Sequence, residues 1–200
     1  MAQQHRKATE KGSGKIGQIR IIGGQWRGRK LAVLDLEGLR PTTDRVKETL
    51  FNWLQFEMPN ARVLDAFAGS GSLGLEALSR GAAEVVFVEK SPTANKQLNE
   101  NIATLLKGND KPITKVLTGD TIQSLKQLEG TFNVVFLDPP FHQGLLKDCI
   151  EGLHTANLVS EGSWIYIESE QSLTVSAPEN WQLHREKKAG QVVYRLYRVA

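Results

Sequence analysis

The sequence predicts an α/β fold: a mostly parallel sheet with helices on both faces, a small β-hairpin before it and an antiparallel hairpin at its C-terminal end. Three observations predict this. From residue 62 onward, short apolar runs alternate with segments of helical period, the pattern of a parallel sheet covered on both sides. One of those strands, residues 62–66, runs directly into a glycine-rich turn and a helix. The alternation then stops near the C-terminus, where residues 181–187 and 192–198 read as two strands joined through Lys188-Ala189-Gly190.

Taken in order, residues 1–17 are polar, Gly/Ser/Lys-rich and aperiodic, and read as a disordered basic arm. Residues 18–22 and 30–34 read as strands, with Gly23, Gly24 and Gly28 in the turn and Trp26 and Arg27 at its tip. This hairpin unit, residues 18–40, precedes the main domain, residues 41–200. Residues 44–56 read as a helix, with Val46, Leu50, Trp53 and Leu54 on one face, Thr43 or Asp44 as cap, and Met58-Pro59-Asn60 as stop. A strand over 62–66 and a helix over 73–79 follow, the helix ending at Gly81. Residues 84–89 form a buried strand. Ser91 caps the next helix with Pro92 at its first position, and Ala94, Leu98, Ile102 and Leu105 give it an apolar face up to Gly108. Then come strand 113–117, helix 122–128, strand 132–137, helix 144–153 and strand 164–168. No internal repeat interrupts this order.

A length of 200 residues suits one domain with a short appendage. The 40% hydrophobic and 24% charged content is that of a soluble globular chain. Cys149 is the sole cysteine, so no intrachain disulfide can form, which suits a reducing cytoplasm. No apolar run approaches the ~18 residues of a membrane span, and the first fifteen residues lack the apolar core of a secretory signal. Charge is unevenly spread. Residues 1–47 carry eleven Lys and Arg against four acids, while the remainder carries fourteen against eighteen. A basic block of +7 ahead of an acidic domain of −4 points to a polyanionic partner.

Two motifs carry the chemistry. Asp138-Pro139-Pro140-Phe141 ends the strand over 132–137. Proline fixes φ and has no N–H, and the first proline also pushes Asp138 out of the α region. The result is a stiff turn holding a carboxylate, carbonyl acceptors and a ring in fixed relation, a holder for a planar group that carries an amine. Upstream, Gly69, Gly71 and Gly74 satisfy the GxGxxG spacing between strand and helix. Glu89 ends the next strand 20 residues after Gly69, where an acid takes ribose hydroxyls. Asp120 ends beside the same crevice. The glycines alone also suit a nicotinamide or flavin enzyme, but Asp65, four residues before Gly69, would repel a pyrophosphate. Acids here suit S-adenosylmethionine (SAM), which has an ammonium group, a sulfonium, a ribose and an adenine amine. For each acid, a solvent-facing cap is the alternative role.

On these residues the chain resembles the class I SAM-dependent methyltransferases, with a Rossmann-like sheet. Asp65-Ala66-Phe67-Ala68-Gly69-Ser70-Gly71 matches their first motif, and Asp138 through Phe141 their amine-methylating [Asn/Asp]-Pro-Pro-[Tyr/Phe] motif. Ile21-Ile22-Gly23-Gly24, Trp26-Arg27-Gly28-Arg29 and the block from Arg40-Pro41-Thr42-Thr43 to Leu50-Phe51 resemble one bacterial family, the 16S ribosomal RNA guanine(966)-N2 methyltransferases, or RsmD family. The resemblance spans about residues 18–198. It implies methyl transfer from SAM to a guanine N2 amine of 16S rRNA, within the small (30S) subunit or its assembly intermediates. It places SAM on Asp65, Gly69, Gly71, Glu89 and Asp120, with Phe67, Lys90 and Thr121 beside them and Arg40 and Thr42 at the border. Asp138, Pro139, Pro140 and Phe141 would hold the target base, Phe141 by stacking. The hairpin would clamp RNA through Arg20, Arg27, Arg29 and Lys30; Trp26 would either stack on a base or fill the hairpin's own core. No Cys/His cluster has ligand spacing, and no metal is expected. Three other readings stand beside this one: an adenine amino-methyltransferase acting on DNA, a protein-glutamine methyltransferase (which more usually shows Asn at 138) and a non-catalytic RNA-binding assembly factor.

Overall fold

The computed structural model describes residues 16–34, 43–107 and 112–200. The arm over residues 1–15 and the candidate SAM neighbours Arg40 and Thr42 lie outside them.

The first two strands, β1 (Ile16–Arg20) and β2 (Lys30–Leu34), pair antiparallel as a separate two-stranded sheet. β1 lies two residues earlier than its sequence pattern predicts. The cause is tertiary: Ile22–Gln25 leave the ladder to dock on a helix. Ile22 N–H donates to Glu76 Oε2 at 2.8 Å, Ser79 Oγ donates to the Gly23 carbonyl at 2.6 Å, and Gln25 N–H donates to the Ser79 carbonyl at 2.8 Å. Gly24 is required there, because a Cβ would sit 1.8 Å from the Ser79 carbonyl oxygen. Residues 16 and 17 are thus strand rather than the end of a disordered arm.

Helix α1 (Asp44–Trp53) starts on Thr43, whose Oγ1 accepts Val46 N–H at 3.4 Å. It buries Leu50 and Phe51 and ends three residues early, leaving Phe56 exposed. The main sheet follows as β3 (Arg62–Asp65), α2 (Ser72–Ser79), β4 (Glu84–Glu89), α3 (Pro92–Leu106), β5 (Ile113–Thr118), α4 (Thr121–Leu125), β6 (Val134–Leu137), α5 (Leu145–Thr155), β7 (Trp164–Glu170), β8 (Trp181–Ala189) and β9 (Val192–Val199). Its strand order is β5-β4-β3-β6-β7-β9-β8. The first five strands are parallel; β9 runs antiparallel between β7 and β8. The hairpin therefore adds two strands, of which β9 runs against the rest of the sheet and β8 along it. Its turn is Gly190-Gln191, because Lys188 and Ala189 still pair with Val193 and Val192. The strand order reverses between β3 and β6, the switch point at which open α/β sheets bind ligands beyond the strands' carboxyl ends.

Strand alternation splits the core in two. One face carries Val63, Phe87, Phe136, Tyr166 and Tyr194 under α1, α2 and α3, and the N-terminal hairpin joins it through Ile19, Ile21, Leu31 and Val33. The other carries Leu64, Val86, Val135 and Ile167 under α4 and α5. Three helices bind the hairpin by buried polar groups as well. Lys47 of α1, 1% exposed, donates from Nζ to the Arg20 carbonyl at 2.5 Å, and burial lowers its pKa. Glu76 of α2, fully buried, accepts from Ile22 and from Arg80 Nε at 2.7 Å. Asn101 of α3 donates to the Ala32 carbonyl at 3.0 Å and to the Ser70 carbonyl at 3.4 Å, tying the hairpin to the glycine-rich turn.

Candidate active site

β3 and β6 are neighbours, with Asp65 opposite Phe136. The glycine-rich turn and the Asp-Pro-Pro-Phe turn therefore leave adjacent strands at the same carboxyl edge. In the first turn the acids brace the backbone. Asp65, 2% exposed, accepts Gly74 N–H on Oδ2 at 2.9 Å. Burial pushes its pKa up to about 7, against the lowering effect of that N–H and with the Glu89 charge adding to the rise. Glu89 accepts Gly69 N–H at 2.7 Å on one oxygen and Ser91 N–H at 2.6 Å on the other. A carboxylate offers about four acceptor positions, so these bonds fix its orientation and leave capacity for hydroxyls.

Gly71 opens α2 at φ 87°, in the left-handed region. Gly74 serves packing instead: a Cβ there would lie 2.2 Å from the Phe87 ring. The remaining cofactor candidates divide. Asp120 caps α4, its Oδ1 accepting Gln123 N–H at 3.3 Å. The buried Thr121 hydroxyl donates to the Ala66 carbonyl at 2.8 Å, so its side chain holds β3 to α4. Phe67 is half-buried against the second core and Lys90 is exposed. Ser72 Oγ, at the start of α2, is buried with no partner among the described residues. Acids at 65, 89 and 120 around the turn give it an acidic lining that fits a cationic nucleoside and opposes a pyrophosphate.

In the second turn, Pro139 is buried, Pro140 is exposed, and Asp138 and Phe141 are half-buried. Phe141 borders an open cleft of about 410 Å³ with His142, Glu170, Gln171, Ser172 and Gln191. His142 adopts φ 62°; its N–H donates to Glu170 Oε1, and its Nδ1 lies 3.3 Å from the same oxygen. His142, Tyr166, Glu168 and Glu170 are absent from the residues that the sequence singles out. The signal was there in β7, where an apolar run ends in Glu-Ser-Glu at the same sheet edge as Asp138.

The hairpin candidates also divide. Arg27, Arg29 and Lys30 are exposed, Arg29 reaching the Thr104 carbonyl at 3.5 Å. Arg20 is paired with Asp44 at 2.6 Å. Trp26, 7% exposed, belongs to the core cluster, so core filling is the role the structure gives its ring rather than base stacking. Among the described residues, no group of three or more His, Cys, Asp or Glu could hold a metal, and no helix is long and apolar enough to cross a membrane.

The family model described as Conserved hypothetical protein 95 matches residues 19–198. Ribosomal RNA small subunit methyltransferase D of Escherichia coli strain K12 is 51% identical over 193 residues, covering 96% of this chain and 94% of that one. The chain belongs to this family. The family member from Haemophilus influenzae is 49% identical over 183 residues, covering 90% of this chain and 94% of its own. Among solved structures, the candidate methyltransferase yhhF from Escherichia coli superposes with a TM-score of 0.82 at 50% identity, over 92% of this chain and 98% of that one. The Podospora anserina methyltransferase PaMTH1, solved with S-adenosylhomocysteine, shares the fold at a TM-score of 0.63 and 17% identity, covering 80% of each chain. The fold is that of the class I methyltransferases.

Proposed function

We propose that this family member transfers a methyl group from SAM to the exocyclic N2 amine of guanine 966 in 16S rRNA, within the small ribosomal subunit or its assembly intermediates in the cytoplasm. One observation carries the reading: the glycine-rich turn after β3 and the Asp138 turn after β6 lie side by side at the switch point of the sheet. The names of the relatives, ribosomal RNA small subunit methyltransferases, support RNA as the substrate.

Asp65, Glu89 and Asp120, set around the glycine-rich turn over 69–71, are the residues that would hold the cofactor. When bound, SAM supplies an electrophilic methyl on a sulfonium and leaves as a neutral thioether. The rest falls to the chain. The guanine amine is a weak nucleophile because its lone pair is delocalised into the ring. Asp138 and the Pro139 carbonyl accept hydrogen bonds from its two N–H groups, which orients the lone pair towards the methyl group. The Asp138 carboxylate then takes the proton lost on methylation, a role typically worth about 10²–10⁴-fold. Phe141 stacks on the base, contributing about 1–3 kcal/mol. Guanine N2 sits inside a Watson–Crick pair, so the enzyme meets the base in a loop or draws it from its stack. The exposed Arg27, Arg29 and Lys30, with the basic arm before the hairpin, clamp the phosphates.

The test is methyl transfer from tritiated SAM to three substrates: small subunits lacking the modification, naked ribosomal RNA and DNA. Label on one guanine of the small subunit, mapped to its N2, is the expected result. Label on DNA adenine would instead establish the DNA reading, and no label on any of the three would leave a binding factor.

A further inference from the structure

The observation lies one strand beyond Asp138. Leu137 of β6 pairs in parallel register with Ile167 of β7. The next residues on the two strands are Asp138 and Glu168. Alternation puts both on the face that carries Phe136 and Tyr166. Carried one step past that last pair, the register sets the backbones of the two carboxylate-bearing residues about one strand spacing, ~4.8 Å, apart at the sheet's carboxyl edge. Glu168 is half-buried, and its orientation is set from below. The buried Tyr166 hydroxyl donates to Glu168 Oε2 at 2.9 Å, and the Tyr166 ring is fixed edge-to-face on Phe136 at 6.3 Å. Burial, then the charges of Glu168 and Asp138, hold the phenol well above its ordinary pKa, so it remains a donor. The hydrogen bond orients the carboxylate and does not exhaust its acceptor positions.

We propose that Glu168 makes this site select guanine, its carboxylate accepting the ring N1–H while Asp138 and the Pro139 carbonyl hold the adjacent N2 amine. The inference rests on the reading that a guanine amine is the methyl acceptor. Guanine presents N1–H and N2–H on neighbouring ring positions, two donors side by side. The edge formed by Asp138 and Glu168 presents acceptors side by side. A carboxylate is acceptor-only when ionised. It meets a donor on guanine N1 and a lone pair on the N1 of adenine or of 2-aminopurine. The last base is the useful probe, because it keeps the 2-amino group and lacks only the N1–H and O6.

The experiment compares small subunits reconstituted with 16S rRNA carrying guanine or 2-aminopurine at the target position. For the wild-type enzyme, kcat/KM on guanine should exceed that on 2-aminopurine by at least about 100-fold, since sites built on a substrate N–H reject analogues lacking it. Glu168→Gln offers a donor as well as an acceptor and should bring the two substrates within about tenfold, with SAM affinity unchanged. A purely structural role for Glu168 would shift the melting temperature and leave that ratio alone, which overturns the inference. If Glu168→Gln does not fold, the wild-type ratio decides by itself: equal rates on the two bases overturn the inference, and a ratio above about 100-fold supports it. Failure of the wild type to methylate the guanine subunits at all sinks the underlying activity instead, and is read separately from the ratio.

Discussion

The two halves of the crevice use acids in opposite ways. After β3 and β4, Asp65 and Glu89 are occupied by the N–H groups of Gly69, Gly74 and Ser91, so the cofactor half is a loop whose shape its carboxylates hold. After β6 and β7, the turn is stiffened by prolines, and Tyr166 orients Glu168 from the sheet below. An acid removed from the first half takes loop geometry with it. Asp138 removed from the second takes chemistry and leaves the bonds that shape the first in place.

That contrast can be broken most directly at Asp138. Asp138→Ala should cut kcat by about 10²–10⁴-fold in single-turnover assays while SAM affinity and melting temperature stay near wild type. A parallel loss of SAM binding by calorimetry would merge the two halves. Glu89→Ala should behave as the opposite case: SAM affinity falls at least about tenfold, and stability falls by about 1–3 kcal/mol as two loop N–H groups lose their acceptor. An unchanged denaturation midpoint would show that the carboxylate holds ligand only. Charge reversal at Arg27 and Arg29 addresses the hairpin. RNA affinity should fall about tenfold and the slope of its salt dependence by about two, with SAM binding intact.

The smallest expected effect sharpens the comparison through protons. The folded pKa of Asp65 is raised from 3.8 to about 7, mainly by burial. The native state therefore holds a proton that the unfolded chain has lost, and the stability this contributes is full below pH 3.8 and gone above about pH 7. Asp65→Asn should flatten that part of the profile in urea titrations. Near pH 7 the site is about half protonated. A cationic ligand beside it should therefore release up to about half a proton, measurable by calorimetry in buffers of different ionisation enthalpy.

The sequence made the sheet readable because its strands end in hard punctuation. The bounds of β4 follow from an apolar run between Glu84 and Glu89, and the start of α3 from Ser91-Pro92. What escaped was decided by tertiary contact. β1 ends two residues early because Ile22 and Gly23 bond to α2 rather than to β2. Trp26 is interior because its N–H is held at 3.0 Å by Ser79 Oγ and its ring joins the core beneath the hairpin. The brace on Glu168 stayed hidden for another reason. A Glu two residues after a Tyr in a strand reads as ordinary alternation until the neighbouring strand is known to end in Asp138.

The buried polar anchors under the N-terminal hairpin have a practical corollary for enzyme engineering. A recognition module is simplest to transplant when its seam is apolar and can be recut anywhere. Here the seam runs through Lys47, Glu76, Ser79 and Asn101, on three different helices. Moving the hairpin onto another catalytic scaffold therefore means moving those four side chains too. A chimera that carries the hairpin alone would leave the Ile22 N–H without Glu76 and fail to seat the graft.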